Sequence, residues 1–216
     1  MIPVVMGWCT ENAVDLCSNA LQVFGGMGYI EETGIAQQYR DVRITTIYEG
    51  TTGIQSLDLI GRKLLRDMGA TARTVGKEME SVAKECAGYS DKTVKRIGEA
   101  LGKALAVLNE TSQWIGMNAM GDLNKAFACS VPYLRLWGAV AGGWQMARAA
   151  KIAAEKIAAG DKDPFYPAKI TTAKFYASHV LTQGAWYKRQ IIDGSGDVMT
   201  LPEDAFELDR KTVVTA

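Results

Sequence analysis

Apolar residues recur at helical spacing along most of the chain, and this periodicity restricts the fold more than any other feature. The longest regular stripe consists of Val94, Ile97, Leu101, Leu105, Leu108, Ser112 and Ile115. An α-helix places residues three or four positions apart on one face, so a stripe of this kind predicts a helix with one buried side. We predict no strand of consequence anywhere in the chain. The sequence therefore favours an all-α protein.

The composition of the chain changes near residue 70. Before that point, residues 4 to 24 and 51 to 66 predict two helices, and Thr33 to Arg40 predicts a shorter one. The β-branched segment at 42 to 49 predicts an extended or irregular connector. After Gly69 the sequence is richer in alanine, lysine and glutamate. We therefore predict a first domain at 1–69 and a second at 70–216.

The second domain is predicted to be a four-helix bundle. Its apolar stripes place the helices near residues 75 to 86, 94 to 115, 123 to 159 and 166 to 192, with Pro132 either bending the third helix or opening its main section. Four tryptophans at helical spacing are interpreted as core residues of the bundle: Trp114, Trp137, Trp144 and Trp186.

Charge and composition exclude several classes of function. Lys and Arg together number 24, as do Asp and Glu, so no net field attracts nucleic acid or anionic lipid. The cysteines form no CxxC pair, and the single histidine, His179, leaves little basis for a zinc site or a histidine-dependent nucleophile. No leader and no membrane-spanning stretch is recognisable. We expect a cytoplasmic protein, or a mitochondrial matrix protein if the source is eukaryotic.

Three short motifs in the first domain could carry chemistry. They are Gln22 to Tyr29, which reads Gln-Val-Phe-Gly-Gly-Met-Gly-Tyr, then Arg40-Asp41, then Tyr48-Glu49-Gly50-Thr51. The glycines either bring the backbone close to a pyrophosphate or end a helix and form a turn. Glu49 either points into a cavity or is an acid favoured by the dipole of the helix that follows it. The residues alone leave both alternatives open.

Together the three motifs resemble the acyl-CoA dehydrogenase family, which has them in the same order and at similar spacing. The resemblance implies that Glu49 is the catalytic base, which removes the α-proton of an acyl-CoA thioester while the β-hydrogen leaves as hydride to FAD. It also implies that Gly50 leaves space for the thioester and that Tyr48 forms a wall of the acyl pocket.

The same resemblance implies a cofactor site shared between subunits. Gln22, Gly25 and Gly26 correspond to positions that hold the pyrophosphate of a neighbouring subunit's FAD, and Thr51 to a flavin contact within its own subunit. We therefore expect a homodimer or homotetramer, with electron-transfer flavoprotein as the electron acceptor. One position departs from the family pattern, because Gly53 stands where many members have glutamine.

The second domain resembles the extra C-terminal helical domain of an extended subgroup of the family, through Tyr133 to Gly138 and Gly142 to Trp144. Family members also have an N-terminal helical domain and a middle β-domain, which have no counterpart in these residues. We therefore expect the chain to be a fragment that, alone, is inactive and holds FAD weakly or not at all.

Two other functions remain open. An acyl-CoA oxidase would share the base and the flavin but pass electrons to oxygen, and a structural or assembly module of the same fold would perform no chemistry. A DNA-binding relative of the fold is disfavoured, because basic residues alternate with acidic ones, as in Lys77-Glu78 and Lys84-Glu85, and form no basic stripe.

Overall fold

The computed structural model describes residues 1–202 and 205, which form helices and turns without a β-strand. The all-α prediction is confirmed. In chain order the α-helices are α1 (Ile2–Val4), α2 (Thr10–Phe24), α3 (Gly26–Tyr29), α4 (Ile35–Arg43), α5 (Thr52–Asp58), α6 (Ala70–Ala87), α7 (Lys92–Ala119), α8 (Leu123–Ala128), α9 (Ser130–Ala158), α10 (Phe165–His179) and α11 (Gln183–Ile192). A π-helical segment at Val5–Cys9 joins α1 to α2, and another at Leu59–Leu65 follows α5. Single 3-10 turns occur at Glu31–Thr33, Ile44–Thr46 and Asp197–Met199.

The second half of the chain forms the predicted bundle around α7. This helix packs against α6 and α9 and against both α10 and α11. Asp91 begins α7, because its carboxylate accepts hydrogen bonds from the amides of Thr93 and Val94 at 2.8 and 2.9 Å. Burial of the predicted apolar stripe then fixes the orientation of the helix, since Val94, Leu101 and Ile115 are all fully enclosed.

Two of the predicted bundle helices are each divided in two. The segment at 166 to 192 is broken between α10 and α11, where Leu181 is buried beside Gly143 of α9. A β-carbon at Gly143 would lie 2.6 Å from a methyl group of Leu181, so this close packing depends on a glycine in another helix. The segment at 123 to 159 is broken at Cys129, and Pro132 lies in the first turn of α9, where a missing amide hydrogen costs least.

Of the two forms predicted for the connector at 42 to 49, the extended one is wrong, and only residues 47 to 49 are irregular. Val42 and Arg43 belong to α4, and the β-branched residues after them form a 3-10 turn. Threonine hydroxyls stabilise this turn, because Thr45 donates to the carbonyl of Val42 at 2.6 Å and Thr46 to that of Arg43 at 3.2 Å. Side-chain bonds of this kind satisfy carbonyl groups that the end of a helix leaves free.

One buried core includes residues from both predicted domains. Val4, Ile60 and Leu64 belong to the same apolar cluster as α7 and α9. A buried hydrogen bond of 3.0 Å also joins Ser56 of α5 to Ser130 of α9. The division at residue 70 stays a prediction, and positions 203, 204 and 206 to 216 of the second predicted domain lie outside the described residues.

The tryptophan interpretation is correct for some positions and wrong for one. Trp137 is buried, and Trp114 and Trp144 pack against the core with part of their surface exposed. Trp186, however, is 54% exposed on α11.

All four cysteines are free thiols. Cys86 and Cys129 are buried, and burial raises the pKa of Cys129 to about 11. Within residues 1–202 and 205, no helix combines the length and the apolar character needed to cross a bilayer.

Candidate functional site

The glycine motif forms a sharp turn at the end of α2. Gly25 has φ 62° and ψ −144°, a conformation that residues with a side chain rarely adopt, and α3 begins at the next residue. A β-carbon at either Gly25 or Gly26 would meet no atom within 4 Å, so this part of the turn faces open space. Gln22 is exposed on the last turn of α2. The turn therefore leaves its backbone accessible to a ligand.

Gly28 has a different role, which the sequence did not indicate. It is buried against α2, where a β-carbon would lie 2.5 Å from the carbonyl oxygen of Leu21 and 2.9 Å from the β-carbon of Phe24. A side chain at this position would push α3 away from α2. Gly28 therefore sets the packing of the turn, whereas Gly25 and Gly26 keep its outer side open.

An ion pair stabilises the segment that follows the turn. Both terminal nitrogens of Arg40 donate to the carboxylate of Glu31, at 2.7 and 2.8 Å. The hydrogen bond from Arg40, together with its charge, lowers the pKa of Glu31, and the same contact raises the pKa of Arg40. Because both side chains are exposed, we assign this pair a role in geometry and not in stability.

The Tyr-Glu-Gly-Thr motif forms an exposed loop between the 3-10 turn at Ile44–Thr46 and α5. Glu49 has φ 54° and Gly50 has φ 91°, so two successive residues lie in the left-handed region. Thr51 caps α5, because its hydroxyl accepts a hydrogen bond from the amide of Ile54 at 3.2 Å. Tyr48 is half exposed, and the side chain of Glu49 is exposed.

The glycine turn and the Tyr48–Thr51 loop lie at opposite ends of α2. The hydroxyl of Thr52 donates to the carboxylate of Glu11 at 2.6 Å, which places the loop beside the first turn of α2. Gln22 lies 11 residues further along that helix. At 1.5 Å per residue this corresponds to about 16 Å. The predicted site residues therefore form two separate groups within one chain, with Tyr48, Glu49, Gly50 and Thr51 in one and Gln22, Gly25 and Gly26 in the other.

The backbone of Glu49 predicts a gain in stability on substitution by glycine. A residue with a side chain lowers the stability of the folded state by about 1–2 kcal/mol in the left-handed region. Substitution by glycine recovers only part of this, because glycine is more flexible in the unfolded chain. We expect Glu49→Gly to raise the free energy of unfolding of this chain by about 0.5–1 kcal/mol in urea denaturation. Met68, with φ 51°, should respond in the same way.

Glu32 supplies the control for this measurement, because it is exposed and its φ is not positive. Glu32→Gly should leave the stability unchanged or lower it. Equal effects of glycine at Glu32 and Glu49 would show that the loop holds no backbone strain.

Comparisons with known proteins agree with the sequence motifs. The family model described as "Acyl-CoA dehydrogenase, C-terminal domain" matches residues 3–65, and the one described as "Acetyl-CoA dehydrogenase C-terminal like" matches residues 66–202. The chain belongs to the acyl-CoA dehydrogenase family. The two matches meet between residues 65 and 66, close to the predicted domain boundary.

Several curated relatives match this acyl-CoA dehydrogenase family chain over most of its length. The 3-methylmercaptopropionyl-CoA dehydrogenase of Ruegeria pomeroyi is 42% identical over 200 residues, which cover 93% of this chain and 34% of the relative. The broad-specificity linear acyl-CoA dehydrogenase of Mycobacterium tuberculosis is 30% identical over 214 residues, or 95% of this chain and 35% of the relative. The chain thus spans about a third of the length of these two relatives.

A shorter match concerns the first part of the chain. The caffeyl-CoA reductase-Etf complex subunit CarC of Acetobacterium woodii is 40% identical over 57 residues, which cover 26% of this chain and 15% of that protein.

Proposed function

We propose that this chain is the part of a FAD-dependent acyl-CoA dehydrogenase that supplies the catalytic base, Glu49. The observation that carries the proposal is the geometry of the Tyr48–Thr51 loop, which presents the Glu49 carboxylate at the surface on a backbone fixed by a glycine and a helix cap. Family membership supports a dehydrogenation, and the names of the relatives support an acyl-CoA thioester as substrate.

In the proposed reaction, Glu49 accepts the α-proton of the thioester. A carboxylate becomes a stronger base when substrate binding removes water from around it, and a general base of this kind accelerates a reaction by about 10²–10⁴-fold. The backbone of Gly50, next to the base, borders the thioester, and the half-exposed ring of Tyr48 forms a wall of the acyl pocket. The chemistry that FAD supplies when bound is acceptance of the β-hydrogen as hydride.

The residues that we assign to FAD fit a site shared between two protomers. The open side of the Gly25-Gly26 turn can admit a pyrophosphate, since no atom fills the space where a side chain would project. The first turn of α2, beside the Tyr48–Thr51 loop, lies about 16 Å from Gln22, so the two groups of residues would contact different parts of a cofactor. Membership of the acyl-CoA dehydrogenase family supports a homodimer or homotetramer, in which Gln22, Gly25 and Gly26 contact the FAD of a neighbouring protomer and Thr51 the FAD of its own.

Electron-transfer flavoprotein is the acceptor that we propose, and the name of the Acetobacterium woodii relative, a subunit of a complex with Etf, supports it. We also propose that the enzyme acts in the cytoplasm, or in the mitochondrial matrix of a eukaryote. We propose no catalytic residue in the extra helical domain predicted after residue 69.

Anaerobic titration of the full-length enzyme that contains this chain tests the proposal. FAD absorbance near its visible maximum should bleach on addition of at least one thioester from a panel of 3-methylmercaptopropionyl-CoA and straight-chain acyl-CoAs of increasing length. Absence of bleaching by the whole panel would favour the assembly module. After bleaching, rapid return of the absorbance with oxygen alone would favour the oxidase, whereas return only with electron-transfer flavoprotein supports the dehydrogenase.

A further inference from the structure

The loop that carries Glu49 needs a restraint, because two adjacent residues in it have positive φ. Glycine adopts this conformation freely, but Glu49 does not, so its backbone would relax toward another conformation unless a contact held it. The direction of the Glu49 carboxylate depends on this backbone, since the φ and ψ angles set where the side chain leaves the chain. A group that holds the Glu49 peptide therefore also aims the carboxylate.

The side chain of Gln55 makes the contact that the loop requires. Its amide nitrogen Nε2 donates to the carbonyl oxygen of Glu49 at 3.1 Å. The same nitrogen lies against Gly50, where a β-carbon would be 3.0 Å from Nε2. One amide group thus touches both residues of positive φ, and the absence of a side chain at Gly50 allows it to approach.

Gln55 is itself held firmly. Its backbone amide donates to the carbonyl of Thr51 at 2.9 Å within the first turn of α5. The next residue, Ser56, is buried and donates to Ser130 of α9 at 3.0 Å. Gln55 therefore connects the exposed loop to a helix that is anchored in the core.

We propose that Gln55 is a positioning residue that aims the catalytic base Glu49 through the hydrogen bond to its carbonyl oxygen. The inference rests on the proposed function, since it assigns Gln55 a role only if Glu49 is the base. A donor to the peptide of a reacting residue leaves the carboxylate free to accept a proton, and it limits the orientations that the carboxylate can adopt. Gln55 touches neither substrate nor cofactor in this proposal.

Substitution of Gln55 in the full-length enzyme tests this role. Gln55→Met keeps the length of the side chain and removes the donor, and Gln55→Glu replaces the donor with an acceptor that repels the carbonyl oxygen. We expect the rate of flavin bleaching at saturating acyl-CoA to fall about tenfold in Gln55→Met and at least as far in Gln55→Glu. FAD content and KM should be unchanged, and α-deuterated substrate should still slow the reaction.

Gln113→Met provides the matched control, because Gln113 is exposed on α7 and has no part in the site. It should bleach at the rate of the unmodified enzyme. The double variant with Glu49→Gln and Gln55→Met should be no slower than Glu49→Gln alone, since a positioning residue has no effect once the base is gone.

The possible results distinguish a failure of the proposed base, Glu49, from a failure of the positioning role of Gln55. Normal bleaching by Glu49→Gln would overturn the assignment of the base and, with it, the role of Gln55. Suppose that Glu49→Gln loses bleaching while both Gln55 variants bleach within twofold of the rate of the unmodified enzyme. This result would overturn only the positioning role. If the slowing merely follows a loss of FAD, Gln55 is a structural residue and the positioning role is overturned. The same conclusion follows if both Gln55 variants misfold and Gln113→Met does not.

Discussion

Glu49→Gln in the full-length enzyme should retain FAD and lose flavin bleaching by acyl-CoA. The amide has the shape of the carboxylate but cannot accept the α-proton, so the contribution of the general base, about 10²–10⁴-fold, should disappear from the rate of bleaching. Stopped-flow measurement of flavin absorbance under anaerobic conditions gives this rate directly. Binding of acyl-CoA should change little, because the substitution acts on the proton transfer.

Glu32→Gln is the control for this experiment. Glu32 is exposed in the 3-10 turn at Glu31–Thr33 and belongs to the same part of the chain, so its substitution removes the same charge without touching the loop. It should bleach normally. If Glu49→Gln bleaches as fast as Glu32→Gln, Glu49 is not the base.

The largest effect on stability is expected at Gly98, where the backbone of α6 leaves no room for a side chain on α7. A β-carbon at Gly98 would lie 2.7 Å from the carbonyl oxygen of Ala83 and would also overlap the backbone nitrogen of Ala87. These are backbone atoms, so relief requires α6 and α7 to move apart. We expect Gly98→Ala to lower the free energy of unfolding of the chain by about 2–3 kcal/mol, as measured by urea denaturation.

Gly102, one turn further along α7, is the matched control. A β-carbon there would meet no atom within 4 Å. Alanine is the better helix former, so Gly102→Ala should raise the free energy of unfolding by about 0.5–1 kcal/mol. A similar response at both positions would show that the α6–α7 packing tolerates a methyl group and that the distance argument is wrong.

The sequence predicted the features that depend on local pattern. The stripe from Val94 to Ile115 identified α7 and its buried face, because apolar residues recur about every 3.6 positions wherever one face of a helix packs on a core. Gly25 marked the end of α2 for an equally local reason, since its backbone conformation excludes most other residues. Of the two roles predicted for Pro132, the opening of the main section of α9 is correct, because the missing amide hydrogen of proline removes no helical hydrogen bond in the first turn.

Features that depend on distant contacts were not predictable. At the break between α10 and α11, Leu181 packs beside Gly143, and nothing near Leu181 in sequence indicates that partner. The exposure of Trp186 likewise follows from where α11 lies in the bundle. In the candidate site, the motif identified Glu49, but the positive φ of that residue and its contact with Gln55 became visible only in three dimensions.

The hydrogen bond between Ser56 and Ser130 has a consequence for synthesis of the protein on the ribosome. Its two residues are 74 positions apart, and the second belongs to a helix that extends to Ala158. At about 5–20 residues per second, the ribosome adds those 74 residues in about 4–15 s. During that interval α5 has been made, but its anchor in α9 has not. The anchor of the helix that follows the Glu49 loop can therefore form only after Ser130 has been made, and until then Ile60 lacks the core in which it is finally buried.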